Sequence, residues 1–216
     1  MATYTSLTNP EDHRLYRDRA KNIDLIWCQQ VGSIIDQLSK KRTYSLNDIG
    51  CNYGQLYKEI KRREISNIAY QGYDIDEKFL GIAHQHFPNV TGLFQKFDIE
   101  TEEPSSADIT VCSATFEHLD DPYPALRKML TSTTEMMILR TFVGEREIRF
   151  VQTDPKLVAT EYNINQFCLY RLSNEFFSLG FDFQCIEDNA TKSRHYEVGL
   201  NSGVMRQTYI IVARRN

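Results

Sequence analysis

Several features that mark large classes of protein are missing from this sequence. No apolar run approaches the length of a membrane-spanning helix, and the amino-terminal stretch is polar and acidic rather than signal-like. There is neither an internal repeat nor a low-complexity segment. The sequence therefore predicts a folded protein of the cytoplasm that has no membrane partner.

Paired cysteines are also missing. The five cysteines, Cys28, Cys51, Cys112, Cys168 and Cys185, stand singly, without any Cys-x-x-Cys pair. This spacing argues against a structural zinc site, and an odd, scattered set argues against a disulfide framework. We therefore expect reduced thiols.

The chain has no excess of positive charge, because its formal net charge is −4 at pH 7. Proteins that bind long nucleic acids usually present a basic face. We interpret the two short basic runs, at 40–42 and 61–63, as helix C-terminal charges in preference to RNA contacts. Nucleic acid is therefore not expected as a partner, and the sequence leaves the oligomeric state open.

The remaining features indicate one α/β domain over residues 1–216, with a helical extension at about 11–41 and a core at about 43–216. The chain has 216 residues, of which 41% are hydrophobic, enough to bury a core. Pattern and turn residues predict strands over 44–49, 68–74, 90–97, 107–113 and 136–141, and helices over 54–63, 77–86 and 123–130. This alternation predicts a mostly parallel sheet.

The last third of the chain departs from that alternation. Residues 144–165 are polar and show no clear period. A helix over 166–179 and two strands, over 183–187 and 208–213, then complete the chain, and a long polar loop joins these strands.

A glycine-bearing turn follows the first predicted strand and contains Asp48, Gly50, Cys51, Asn52 and Gly54. Such turns let the backbone approach a ligand closely, and asparagine tolerates positive φ at a position where glycine is common. The dinucleotide form would need glycine at 50, 52 and 55, so the spacing disfavours a nicotinamide cofactor. Taken alone, the motif fits a plain tight turn equally well.

Acidic residues end the next two predicted strands. Asp74 lies where a carboxylate can accept hydrogen bonds from both hydroxyls of an adenosine ribose, and Asp98 lies where it can receive an adenine amino group. Asp76 is a competing carboxylate, but we expect it to cap the following helix.

Together these motifs resemble those of the class I methyltransferases that use S-adenosylmethionine (SAM). The matching stretches are 48–54, 72–76, 97–99 and 116–122. The resemblance implies a doubly wound, mostly parallel seven-stranded α/β sheet whose last strand is antiparallel and lies beside the fifth.

The resemblance also implies a cofactor site. Its members would be the loop residues Asp48, Gly50, Cys51, Asn52 and Gly54 under the methionine part, Asp74 with Ile75 at the ribose, Asp98 and Ile99 at the adenine, and Ser113 near the sulfonium.

The implied reaction is methyl transfer to a polar small molecule, on an oxygen atom of a sugar or metabolite. His118, just past the fourth strand, is the candidate base, although its turn could serve only to pack Phe116 and Leu119. Asp120, Asp121, Asp188 and Asn189 are interpreted as turn formers, and no metal is expected. An RNA or protein methyltransferase and a silent SAM-fold binding subunit remain alternatives.

Overall fold

The computed structural model describes residues 17–18, 20–21, 24–90, 92–153, 161–197, 203 and 205–216. Its strands are β1 (Tyr44–Ile49), β2 (Ile68–Asp74), β3 (Phe94–Lys96), β4 (Ala107–Ser113), β5 (Thr133–Gly144), β6 (Val151–Thr153), β7 (Glu161–Asn163), β8 (Phe167–Cys168), β9 (Phe181–Glu187), β10 (Tyr196–Glu197), β11 (Met205–Arg206) and β12 (Thr208–Arg215). Its helices are α1 (Ile26–Ser39), α2 (Gln55–Arg62), α3 (Glu77–His86), α4 (Pro122–Ser132) and α5 (Leu169–Ser178), with a 3₁₀ turn at Phe116–His118.

The main sheet has the strand order β3-β2-β1-β4-β5-β12-β9, and β8 pairs in parallel with the end of β5. Strands β1 to β5 pair in parallel. Strand β12 runs antiparallel to both of its neighbours, β5 and β9. The predicted fold class, with an antiparallel last strand beside the fifth, is confirmed.

Helices cover both faces of this sheet, as doubly wound connections require. One apolar cluster joins the sheet to α1, α2 and α3 through residues such as Ile35, Leu56 and Leu80. A second cluster joins the other face to α4 and α5 through Leu126 and Phe176. In the part of the chain that the structure describes, no helix has the length and apolarity to cross a membrane.

The amino-terminal helix differs from the prediction. Sequence periodicity predicts one helix over 11–41, but α1 begins at Ile26 after Leu25, whose ψ of 130° is extended. Residues 17–18 and 20–21 are helical, whereas Asp24 and Leu25 are not, so a single continuous helix is wrong. The rest of the predicted amino-terminal part, 11–16, 19 and 22–23, lies outside the described residues.

Strand β3 is shorter than predicted. The apolar pattern over 90–97 predicts a longer strand, yet pairing begins only at Phe94. Gly92 adopts a left-handed conformation with φ of 79°, which ends any extended segment at that point.

The polar regions of the last third contain structure that the sequence pattern does not reveal. Strands β6 and β7 pair antiparallel, and so do β10 and β11. Helix α5 begins at Leu169, three residues later than predicted, because Phe167 and Cys168 pair with the end of β5 instead.

Candidate active site

A cavity of about 190 Å³ lies where the parallel strands end, at the edge where open α/β sheets bind ligands. Eight sequence-selected residues line it: Gly50, Asn52, Asp74, Ile75, Asp98, Ile99, Ser113 and His118. The structure therefore brings most of the expected site together. We call this space the first cavity.

Positive backbone angles shape the loop after β1. Gly50 has φ of 76° and Asn52 has φ of 53°. A Cβ atom on Gly50 would lie 1.8 Å from Thr115 Oγ1, in the turn that follows β4. Only glycine lets the two turns meet so closely, and their contact forms one wall of the first cavity.

The carboxylate of Asp74 is fixed by backbone donors. Its Oδ2 accepts a hydrogen bond of 2.7 Å from the Asn52 N–H, and its Oδ1 accepts one of 2.9 Å from the Asp76 N–H. Burial raises the pKa of Asp74 to about 6, and these backbone bonds oppose the rise. The side chain is thus a preoriented acceptor at the end of β2.

Asp76 has the other role that the sequence suggests. Its side chain accepts a hydrogen bond of 2.8 Å from the Lys78 N–H and so caps α3. The capping prediction is confirmed, and Asp76 does not line the first cavity.

Asp98, after β3, and several apolar side chains also line the cavity. Asp98 Oδ1 accepts a hydrogen bond of 2.9 Å from the Glu100 N–H. Ile75, Phe79 and Ile99 supply apolar surface beside it. A flat aromatic base would find apolar walls and polar edges here.

Ser113 offers an unsatisfied polar atom. Its Oγ is buried in the wall of the first cavity and has no hydrogen-bond partner among the described residues. Buried hydroxyls almost always have a partner, so this atom fits a ligand group that is bound in function.

Three residues that the sequence placed in the cofactor site lie behind the cavity wall instead. Asp48 is buried and accepts a 2.6 Å hydrogen bond from the Tyr70 hydroxyl, and burial raises its pKa to about 7. Cys51 is buried in the core beneath the loop. Gly54 starts α2 with φ of 80° and packs against Phe94. All three support the loop from behind: the side chains of Asp48 and Cys51 are buried, and Gly54 makes the turn into α2.

Comparison with known proteins bears on this arrangement. Residues 47–135, which run from within β1 to the start of β5, match a family model described as a methyltransferase domain. This part of the chain is thus similar to a methyltransferase domain, and the chain as a whole has the fold of SAM-dependent methyltransferases. The polar groups of the first cavity suit SAM.

Solved structures share the fold of this methyltransferase. Magnesium protoporphyrin IX methyltransferase of Synechocystis PCC 6803 with bound SAM is 15% identical, with a TM-score of 0.60 over 97% of this chain and 92% of that one. The N-terminal domain of EvdMO1, crystallised in the presence of S-adenosylhomocysteine (SAH) and D-fucose, is 13% identical, with a TM-score of 0.66 over 95% and 97%.

A SAM-dependent methyltransferase of Methanosarcina mazei is 17% identical, with a TM-score of 0.60 over 81% of this chain and 93% of that one. The comparison with curated proteins found no match. At these identities the structural likeness shows the fold.

A second cavity of about 230 Å³ adjoins the first and shares Ala114 and His118 with it. Residues from the turn after β4 and from β5, β7, β10, β12 and their ends line it. They are Ala114, Glu117, His118, Arg140, Phe142, Tyr162, Ile164, Tyr196 and Thr208. Tyr162 and Ile164 belong to the polar stretch over 144–165, and Tyr196 belongs to the long polar loop that the sequence predicts.

His118 of the methyltransferase stands in the wall between the two cavities. Its Nδ1 lies 2.7 Å from the carbonyl oxygen of Asn163. A carbonyl oxygen only accepts hydrogen bonds, so Nδ1 carries the proton and the basic lone pair of the neutral ring is on Nε2.

Other charged groups noted in the sequence have structural partners. Arg62 and Arg63 both donate to the Glu59 carboxylate, and Arg42 pairs with Asp108. Among the described residues, no group of three or more potential ligands could hold a metal ion. Asp188, weighed as a metal ligand, instead receives two hydrogen bonds from Arg140.

Sequence reasoning missed several cavity residues. Trp27, the chain's one tryptophan, lies within the predicted amino-terminal helix and lines the first cavity, but it was not among the predicted site residues. Glu117 and Thr115 lie within a turn whose sequence drew attention only to His118. Their position just after β4 could have identified them as site residues, because residues just beyond a central parallel strand lie at the edge of the sheet that binds ligands.

Proposed function

We propose that this methyltransferase transfers the methyl group of SAM to an oxygen atom of a polar small molecule, such as a sugar or a hydroxylated metabolite. One observation carries the proposal: His118 lies in the wall that the two cavities share. A methyl donor in the first cavity and an acceptor in the second would meet beside this ring.

We further propose how the first cavity holds SAM. Asp74 accepts hydrogen bonds from the ribose hydroxyls, with Ile75 against the sugar, and Asp98 and Ile99 bind the adenine. Gly50 and Asn52 pass under the methionine part, and Ser113 Oγ bonds the cofactor near its sulfonium. The preoriented carboxylate of Asp74 and the unpartnered Ser113 hydroxyl support these roles.

The reaction requires the protein to align the acceptor with the methyl group and to accept one proton. Bound SAM supplies an electrophilic methyl group on a sulfonium. The cavity walls align the acceptor oxygen behind that methyl and exclude water. Nε2 of His118 takes the hydroxyl proton as the new bond forms, and Asn163 fixes the ring for this step through Nδ1.

Two structural neighbours also favour a small acceptor. One is a magnesium protoporphyrin IX methyltransferase, and the other was crystallised in the presence of D-fucose. The buried, mixed polar and aromatic lining of the second cavity supports the same acceptor class here.

The alternatives have weaker support. An RNA acceptor needs free basic side chains, yet Arg42, Arg62 and Arg63 are engaged by carboxylates. A silent binding subunit has no need of a polar cavity beside the cofactor. We also propose that the whole chain works as one domain in the cytoplasm, which its five free cysteines favour.

Methyl transfer can be tested without knowing the acceptor. The protein is incubated with methyl-labelled SAM and fractionated cell extract, with Asp74→Ala as the control that should bind SAM poorly. We expect wild-type-dependent label in the small-molecule fraction. Label confined to RNA or protein, or no transfer by a protein that binds SAH, would refute the proposal.

A further inference from the structure

One carboxylate in the second cavity has no ion-pair partner among the residues that the structure describes. Glu117 is only 3% exposed, and its Oε2 accepts a 2.8 Å hydrogen bond from the neutral hydroxyl of Thr141. No described residue donates to its Oε1. Buried carboxylates are normally paired or fully hydrogen-bonded, so Oε1 has unused accepting capacity beside a cavity.

The one arginine of this lining does not neutralise Glu117. Arg140 donates from Nε and Nη2 to the two oxygens of Asp188, at 3.2 and 3.0 Å. Asp188 is itself fully buried, so the two form a closed ion pair with no net charge. Among the described lining residues, Glu117 therefore sets the charge of the cavity, which is negative when His118 is neutral.

Aromatic groups form much of the remaining wall. Phe142, Tyr162 and Ile164 pack in one apolar cluster against Tyr196, whose hydroxyl lies 2.8 Å from Thr208 Oγ1. Ring faces favour the apolar face of a sugar or aromatic ring and also attract cations. At about 230 Å³, the cavity suits a molecule with a single ring.

We infer that the methyl acceptor is a single-ring molecule that carries no negative charge, and that it donates a hydrogen bond from a second hydroxyl or an ammonium group to Glu117 Oε1. A hydroxyl of the same ring faces His118. Glu117 is then the residue that selects the acceptor, because an acceptor carboxylate or phosphate would meet an unneutralised carboxylate in a buried site. This inference rests on the proposed function.

The charge of the natural acceptor can be read from its labelled product. Products formed from extract and labelled SAM are separated by ion exchange at pH 7, and mild alkali then releases methanol from any methyl ester. We expect alkali-stable label in neutral or cationic products. Label in anionic products, or label released by alkali, would mean an anionic acceptor and would overturn the inference while leaving small-molecule transfer intact. Absence of small-molecule label would overturn both.

A matched pair of variants tests the role of Glu117 itself. Glu117→Gln keeps the size and the Thr141 bond but removes the charge. Glu135→Gln is the control. It makes the same chemical change near the start of β5, on an exposed side chain that pairs with Arg42.

We expect Glu117→Gln to lower transfer into the main product by about tenfold or more, since hydrogen bonds to charged acceptors are the stronger ones. SAH affinity should be unchanged, which also shows that the variant is folded, and Glu135→Gln should behave as wild type. Full transfer by Glu117→Gln would overturn the inference. Equal losses in the two variants would do the same.

Discussion

The carboxylate of Asp74 is held by two backbone N–H groups before any ligand arrives. Each hydrogen bond to a charged acceptor contributes about 1.5–3 kcal/mol, so Asp74→Ala should weaken SAH binding by well over tenfold. Asp76→Ala is the control, because it removes only the α3 cap and about 1 kcal/mol of stability. Calorimetric titration of both variants measures the difference, and equal losses of affinity would show that the wrong carboxylate was chosen.

The raised pKa of Asp74, about 6, makes cofactor binding depend on pH. Ribose hydroxyls bond better to the ionised carboxylate, so a protonated Asp74 must lose its proton before it binds well. SAH affinity should therefore fall as the pH drops below about 6. Asp74→Asn, which cannot ionise, should have weaker binding that varies less over this range. A wild-type affinity that stays constant between pH 5 and about 8 would contradict the ribose role.

His118 can act as a base only while its ring is neutral. General-base help of this kind contributes about 10²–10⁴-fold, so His118→Gln should lower turnover by at least about tenfold and leave SAH affinity nearly unchanged. Turnover and SAH affinity of both proteins provide the test. If the variant kept the wild-type rate, His118 would be a packing residue, and proximity alone would drive transfer.

Helix α1 closes one side of the first cavity. Trp27 lines that cavity from α1, and its ring lies 6.0 Å from the Arg140 guanidinium. Gln30 anchors the helix to the end of β9 by donating to the Glu187 carbonyl at 2.7 Å. The amino-terminal helix is thus part of the site.

Trp27 gives α1 a direct spectroscopic reporter, since the chain has no other tryptophan. SAH binding should change its environment and thus the emission of the protein, with a titration midpoint equal to the calorimetric dissociation constant. Trp27→Phe should lose the signal but still bind SAH. An unchanged emission at saturating SAH would show that α1 does not contact the cofactor.

The elements that the sequence predicts best are those whose pattern and ends are both local. The bounds of β1, β2, β4 and α3 follow the sequence prediction, because apolar residues end at a turn residue or a cap in each. The prediction fails where a single backbone conformation, which the apolar pattern does not reveal, sets the start of an element. The left-handed Gly92 precedes the late start of β3, and the extended Leu25 precedes the start of α1.

Across the whole molecule, the first cavity was predictable and the second was not. Asp74 ends β2 and Asp98 follows β3, so chain order alone brings them to one edge of the sheet. The second cavity joins Glu117 to Phe142, Tyr162 and Tyr196, which belong to four separate elements. No periodicity links such distant residues, and only the register of β12 against β5 and the short β6–β7 pair brings them together.

Calorimetric titration of the wild-type protein with SAH and, separately, with NADH tests the assignment of the cofactor most directly. The strand-end acids, the non-dinucleotide glycine spacing and the methyltransferase family match all predict saturable SAH binding at one site per chain. NADH should give no comparable heat. Tighter binding of NADH than of SAH, or no binding of SAH to a folded protein, would contradict the account of the first cavity as a SAM site.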